Sequence, residues 1–293
     1  QIVMVDHDHH LAAAEESTTG DVSTALEDRT QTLHRDAAAI HDLGDRHSHQ
    51  SGPGRDQQGL AFGLHQRDPQ DLAERGNGYR LTLPAARLKA GAENLLEVSF
   101  ENAYDTGGDG VFRFIDPEDQ AEYVYTNFEP YEAHRMAPLF DQPDIKAKLS
   151  LTVAAPAAWR VFGNGAETAT SPEGAGGTLH TFAETPPLAS YLFSFAAGPF
   201  VGKRFEVNIP GRATPVQVGL WSRGSLEKYL SYDLFQKMTS QAFTYFGDLF
   251  GREYPFEKLD HVYCPEFNVG AMENVGLITY TERYIFLSTP TPS

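Results

Sequence analysis

Of the 34 Phe, Trp and Tyr residues in this 293-residue chain, 33 lie between Tyr79 and Ser293, and only Phe62 lies before them. Each aromatic side chain buries about 150–250 Å2, so their distribution says where a core can form. The first 78 residues hold 8 of the 11 histidines, no lysine, and 6 arginines against 14 carboxylates. Such a segment buries little apolar surface against its chain entropy, and no sustained period-2 pattern runs through it. Two readings stand open for residues 1–78: an acidic, disordered extension, or a translation in the wrong reading frame that joins the true frame near Gly76 to Arg80. The abrupt onset of aromatics favours the second. The tract His7-Asp8-His9-His10, like His34, His41, His47 and His49, lacks a framework to hold ligands about 2.0–2.2 Å from a metal, so any binding there is expected to be adventitious.

From Tyr79 onward the chain reads as two units, 79–202 and 203–293. Leu96-Glu97-Val98-Ser99-Phe100 and Leu149-Ser150-Leu151-Thr152-Val153 alternate apolar and polar residues, as half-buried strands do. Further short runs at Tyr123–Thr126, Trp159–Phe162, Leu179–Phe182 and Tyr191–Phe195 are separated by Gly and Pro. Strands at this spacing predict a β-sandwich or related all-β domain. After Pro199–Phe205, Pro215–Leu220 reads as one more strand, followed by a helix. Ser225 is its expected N-cap, with Glu227 in the first turn where the helix dipole favours negative charge. Leu226, Tyr229, Leu230, Met238 and Phe246 are expected on its apolar face, and Gly247 and Gly251 as its stops. The aromatic stripe Tyr229, Tyr232, Phe235, Phe243 and Tyr245 reads as core. The fold class is thus mainly β, α+β.

One short segment carries chemistry. Gly270-Ala271-Met272-Glu273-Asn274 follows the apolar run His261-Val262-Tyr263-Cys264 and places one carboxylate on a glycine-flanked extended stretch. Gly270 and Gly276 would let another backbone approach closely. A peptide could lie alongside as an added strand, its ammonium held by Glu273 through charge-assisted hydrogen bonds of about 2.7–2.9 Å. The bland reading is a bulged edge strand with a solvated Glu273.

The stretch CPEFNVGAMENVGLITY resembles the zinc aminopeptidases of the aminopeptidase N family, and a second block supports the likeness. Tyr123 to Ala147, YVYTNFEPYEAHRMAPLFDQPDIKA, is similar to a family segment reading roughly T-Q-F-E-P, A-R, F-D-Q-P-D-x-K-A upstream of GAMEN. Phe140 to Asp144 is a turn in which Pro143 fixes its own φ and Asp141 and Asp144 can accept from nearby amides. Asn127 stands where the family commonly has a glutamine whose carbonyl helps hold the substrate ammonium; it keeps the acceptor but is one methylene shorter. The resemblance implies substrate contacts from Gly270, Ala271, Met272, Glu273, Asn274 and Asn127, and leaves Glu129 and Glu132 as solvated or structural carboxylates. It also implies an N-terminal β-sandwich or saddle domain followed by the start of a thermolysin-like α/β catalytic domain.

The family's zinc is held by an H-E-x-x-H helix and a further glutamate, and these residues contain no H-E-x-x-H. The zinc ligands, the general base and the oxyanion-stabilising tyrosine are therefore expected beyond Ser293. None of the catalytic or metal-binding residues is expected within this chain, which should be inactive alone. Alternatives are a non-catalytic peptide-binding or scaffold homologue, or a leukotriene hydrolase-type enzyme, whose members carry a second glycine where Ala271 stands. The implied partners are peptides with a free N-terminus. A net charge of −17 argues against nucleic acid, and no apolar run approaches the ~20 residues of a membrane-spanning helix. Cys264, the only cysteine, is expected to be a buried small hydrophobe, and a disulfide-free chain fits the cytoplasm.

Overall fold

A computed structural model describes residues 2–5 and 88–285, apart from 93, 97, 99 and 101. The histidine tracts of the first 78 residues lie outside the described residues. Of that segment only β1, Ile2–Val5, is described; it pairs antiparallel with β5, Ser150–Pro156.

Three sheets and a helix are stacked. The outer sheet runs β1-β5-β8-β7, with β7 at Glu167–Glu173 and β8 at Gly177–Phe182. The middle sheet runs β2-β3-β10-β6: Gly110–Ile115, Glu122–Asn127, Phe195–Gly198 and Arg160–Gly163. A two-stranded ribbon joins β4, Lys146–Ala147, to β9, Leu188–Ala189. The third sheet, β11-β12-β13-β15-β14, takes in Val201–Val207, Val216–Ser222, Lys258–Cys264, Leu277–Thr281 and Ala271–Met272. One α-helix, α1, Tyr232–Phe250, covers its far face.

Period-2 geometry explains the stacking, since successive residues of a strand face opposite sides. In β3, Val124 joins the core shared with Leu151, Val153 and Phe182 of the outer sheet. Its neighbours Tyr123 and Tyr125 point the other way, into a core with Trp221, Val262, Cys264, Met272 and Leu277 of the third sheet. The middle sheet is therefore buried on both faces, and Tyr123 and Tyr125 are at most 1% exposed. In β13 every residue is buried: Val262 and Cys264 face the β domain, while Leu259 and Tyr263 face the α1 side.

Several expectations need correction. The helix does not begin at Ser225. Gly224–Tyr229 is a 3-10 turn ending in extended Leu230, and α1 starts after Ser231 with Asp233 in its first turn. This later start rotates the apolar face: Phe235, Thr239 and Phe243, four residues apart, turn inward, while Met238, Tyr245 and Phe246 are exposed by 57, 62 and 51%. Leu226, Tyr229 and Leu230 do pack against the third sheet, beside Tyr263. Gly251 ends α1 in the left-handed conformation, φ 62°, and Gly247 lies inside it. Within Tyr191–Phe195 the chain makes a 3-10 turn, Ser190–Leu192, before β10 begins. Leu96, Val98 and Phe100 face the first core as their alternation predicts, without belonging to any strand.

Candidate functional site

Ala271–Met272, strand β14, is the edge of the third sheet. Among the described residues it pairs only with β15, antiparallel, Ala271 opposite Tyr280 and Met272 opposite Thr279. Met272 is buried at 3% exposure and anchors the strand in the inter-sheet core, so its neighbours Ala271 and Glu273 alternate outward and are exposed. The unpaired edge of β14 offers backbone groups to an added strand. Gly270 is held by the Thr281 amide, which donates to its carbonyl at 3.0 Å, and a Cβ at Gly270 would strike the Tyr284 hydroxyl.

After Glu273 the chain turns sharply into β15. The Leu277 amide donates to the Asn274 carbonyl at 3.1 Å, and Gly276 sits at φ 68°, where glycine costs least. Buried Asn274 donates through Nδ2 to Thr279 Oγ1 at 3.4 Å, so its side chain serves the turn. The Asp260 amide donates to the Gly276 carbonyl at 3.0 Å.

Asn127, at the end of β3, is 4% exposed. Its Nδ2 faces three oxygens, Asn268 Oδ1 at 3.1 Å, the Gly108 carbonyl at 3.3 Å and Asp109 Oδ1 at 3.5 Å. That surrounding fixes which end of the amide is nitrogen. Its Oδ1 is buried and has no hydrogen-bond partner among the described residues. An unpaired buried carbonyl costs about 1–3 kcal/mol. Asn268, two residues before Gly270, ties Asn127 to the loop that leads into β14. The Tyr125 hydroxyl, which donates to the Pro265 carbonyl at 2.9 Å, ties in the start of that loop. The structure thus brings together β3 and the 265–274 segment, 140 residues apart in sequence.

Glu129 is exposed, and Glu132 pairs with Arg135. Asp141 accepts from the His134 amide at 2.9 Å and from Ser190 Oγ at 2.6 Å, the structural corner expected of it. Cys264 is fully buried, and burial raises its thiol pKa well above the usual range.

Charged residues that sequence reasoning did not single out lie behind the strand. Lys258 Nζ, on the β-domain side of β13, donates to the Gly163 carbonyl and to Asp260 Oδ2, the latter at 3.0 Å. Asp260 Oδ1 also accepts from Arg204 at 2.7 Å and from Trp221 Nε1 at 2.9 Å. Burial pushes the Asp260 carboxyl up, but the Lys258 and Arg204 charges outweigh it and hold it below the usual range. A second bridge joins Arg223, after β12, to Asp116 and Glu282, each at 2.8 Å. On the α1 side, His261 Nδ1 meets the Tyr280 hydroxyl at 2.9 Å, and burial pushes the imidazole down to about 4.

The sequence profile of the Peptidase M1 N-terminal domain matches residues 14–192, and that of the Peptidase family M1 domain matches residues 235–292. The chain belongs to the M1 peptidase family. It is 37% identical over 224 residues to an aminopeptidase N of Streptomyces lividans, covering 76% of this chain and 25% of that protein. An aminopeptidase N of Acetobacter pasteurianus is 30% identical over 57% of this chain and 45% of its own length. The mouse aminopeptidase N is 26% identical over 77% of this chain and 23% of its own. The chain therefore spans about a quarter of the Streptomyces relative.

Among the described residues no group of three or more His, Cys, Asp and Glu side chains could hold a metal ion. They do not fit the zinc that the family resemblance implies.

Proposed function

We propose that this chain is the amine-recognising part of a zinc-dependent aminopeptidase that releases N-terminal residues from peptides. The observation that carries the reading is a pair of acceptors without a partner among the described residues. Glu273 is exposed at the end of an edge strand, and the Asn127 carbonyl is buried and unpartnered on the segment docked against that strand's loop. A peptide added along β14 would bring its first residue to Glu273, and the ammonium would donate charge-assisted hydrogen bonds to the carboxylate and to Asn127 Oδ1. Ala271 and Gly270 would lie beside the peptide backbone, whereas Met272 and Asn274 support the strand from within. The relatives' name, aminopeptidase N, supports the aminopeptidase part of this reading.

Hydrolysis is assigned elsewhere in the longer protein, since the sequence holds no H-E-x-x-H. The purified 1–293 chain is expected to leave an aminoacyl arylamide intact. A cytoplasmic location rests on composition alone. The reading is tested by Glu273→Gln in the complete gene product, where kcat/KM for an aminoacyl arylamide should fall on the order of 10²-fold or more. Unchanged kinetics would sink the assignment of amine recognition to Glu273.

A further inference from the structure

Glu273 directly follows a short strand that is the sheet edge among the described residues, yet an ammonium grip needs its carboxylate fixed to a fraction of an ångström. The turn that follows, 274–277, carries the constraint. Within the third sheet it is tied by the Asp260 amide to the Gly276 carbonyl and by Leu277 to Asn274. The Val275 carbonyl is taken by the other domain. Asn164, immediately after β6, donates through Nδ2 to the Val275 carbonyl at 2.8 Å, across 111 residues of sequence.

Asn164 is built for that contact. The same Nδ2 donates to the Leu192 carbonyl at 2.8 Å, and Oδ1 accepts from the Ser194 amide at 2.8 Å, so the amide cannot rotate away. The side chain is buried at 5% exposure. Three neighbouring contacts close the same joint: the Val275 side chain packs against the β-domain core, Lys258 Nζ donates to the Gly163 carbonyl, and a Cβ on Gly276 would collide with the Asn164 carbonyl.

We propose that Asn164 is a positioning residue for Glu273: by holding the Val275 carbonyl from the β domain, it sets where the recognition carboxylate stands. This rests on the amine-recognition reading above. Asn164 touches no substrate. It acts two residues downstream of Glu273, so its loss lets the turn and the carboxylate shift together. A misplacement of about 1 Å at a reacting or binding group costs up to about 10²-fold in rate.

The test is a double-mutant cycle in the complete gene product, with kcat/KM measured for an aminoacyl arylamide in wild type, Asn164→Ala, Glu273→Gln and the double variant. Thermal unfolding of each protein serves as the folding control. Asn164→Ala should lower kcat/KM about tenfold or more in the wild-type background, and by less than about twofold when Glu273 is already glutamine. Equal losses in both backgrounds would make Asn164 a structural residue only and overturn the proposal, as would an unimpaired Asn164→Ala enzyme. An unimpaired Glu273→Gln enzyme overturns the amine reading itself, and this proposal with it. If Asn164→Ala does not fold, Asn164→Ser, which keeps one short donor, is put through the same cycle with the same criteria.

Discussion

The two faces of the five-stranded sheet are finished differently. Towards the β domain, Trp221, Val262, Cys264, Met272 and Leu277 are all 5% exposed or less, and polar bonds cross the joint at Lys258, Asn164 and Arg223. On the far side α1 seals Phe243 against the sheet but leaves Leu234, Met238, Tyr245, Phe246, Leu249 and Phe250 more than half exposed. Contiguous exposed apolar surface of this kind marks a packing or interaction surface. Strand β14 and the turn after it are thus fixed from one side, by directional bonds whose partners are buried, whereas α1 adds mainly apolar packing. Damage to the first face should therefore move both stability and the site, and damage to the second should move stability at most.

The largest effect is expected at Lys258. Lys258→Met removes the cation from buried Asp260 and leaves that carboxylate with Arg204 and Trp221 alone, and breaking such a pair costs about 3–5 kcal/mol. Denaturant unfolding measures it; a loss below about 1 kcal/mol would mean that the joint is not held by this charge. Next comes His261 on the α1 side. Its folded-state pKa, about 4, lies below the unfolded value of 6.5, so the unfolded chain binds the extra proton between those values and stability falls as pH drops through that window. The loss is on the order of 3 kcal/mol by pH 4, and His261→Gln should flatten this part of the pH profile. An unchanged profile would place the acid sensitivity elsewhere.

Asn127→Ala is expected to weaken amine binding by about 1–2 kcal/mol, roughly tenfold in KM, with kcat less affected. An effect confined to thermal stability would reassign Asn127 to the loop it touches. Smallest is Phe250→Ser on the open side of α1: at 72% exposure it should change stability by no more than about 0.5 kcal/mol. A larger loss would show that the open face is already partnered.

Local patterns in the sequence led to much of this arrangement. Alternation in Leu149–Val153 and the short run Tyr123–Thr126 located β5 and β3, and the close backbone approach expected at Gly276 is made there by the Asn164 carbonyl, whereas Gly270 faces the Tyr284 side chain. What stayed hidden depends on contacts between distant parts of the chain. Asn164 sits in Gly163-Asn164-Gly165, which reads as an ordinary turn, and nothing local says that it reaches Val275. Lys258 and Asp260 look like the polar face of a half-exposed strand, yet a second sheet buries that face. The start of α1 was misread for a related reason. Ser225 and Glu227 make an acceptable cap by sequence, but the packing of Leu226, Tyr229 and Leu230 beside Tyr263 holds them in a 3-10 turn before the helix begins.

The most direct measurement is the affinity of the complete gene product for two peptides that differ only in an N-terminal acetyl group, made with wild type and with Glu273→Gln. The account predicts that the wild-type protein prefers the free amine by about 10²-fold, and that the preference collapses to within a few-fold in Glu273→Gln. Equal discrimination by the two proteins would contradict it, because the ammonium would then be held by something other than the carboxylate at the end of the edge strand.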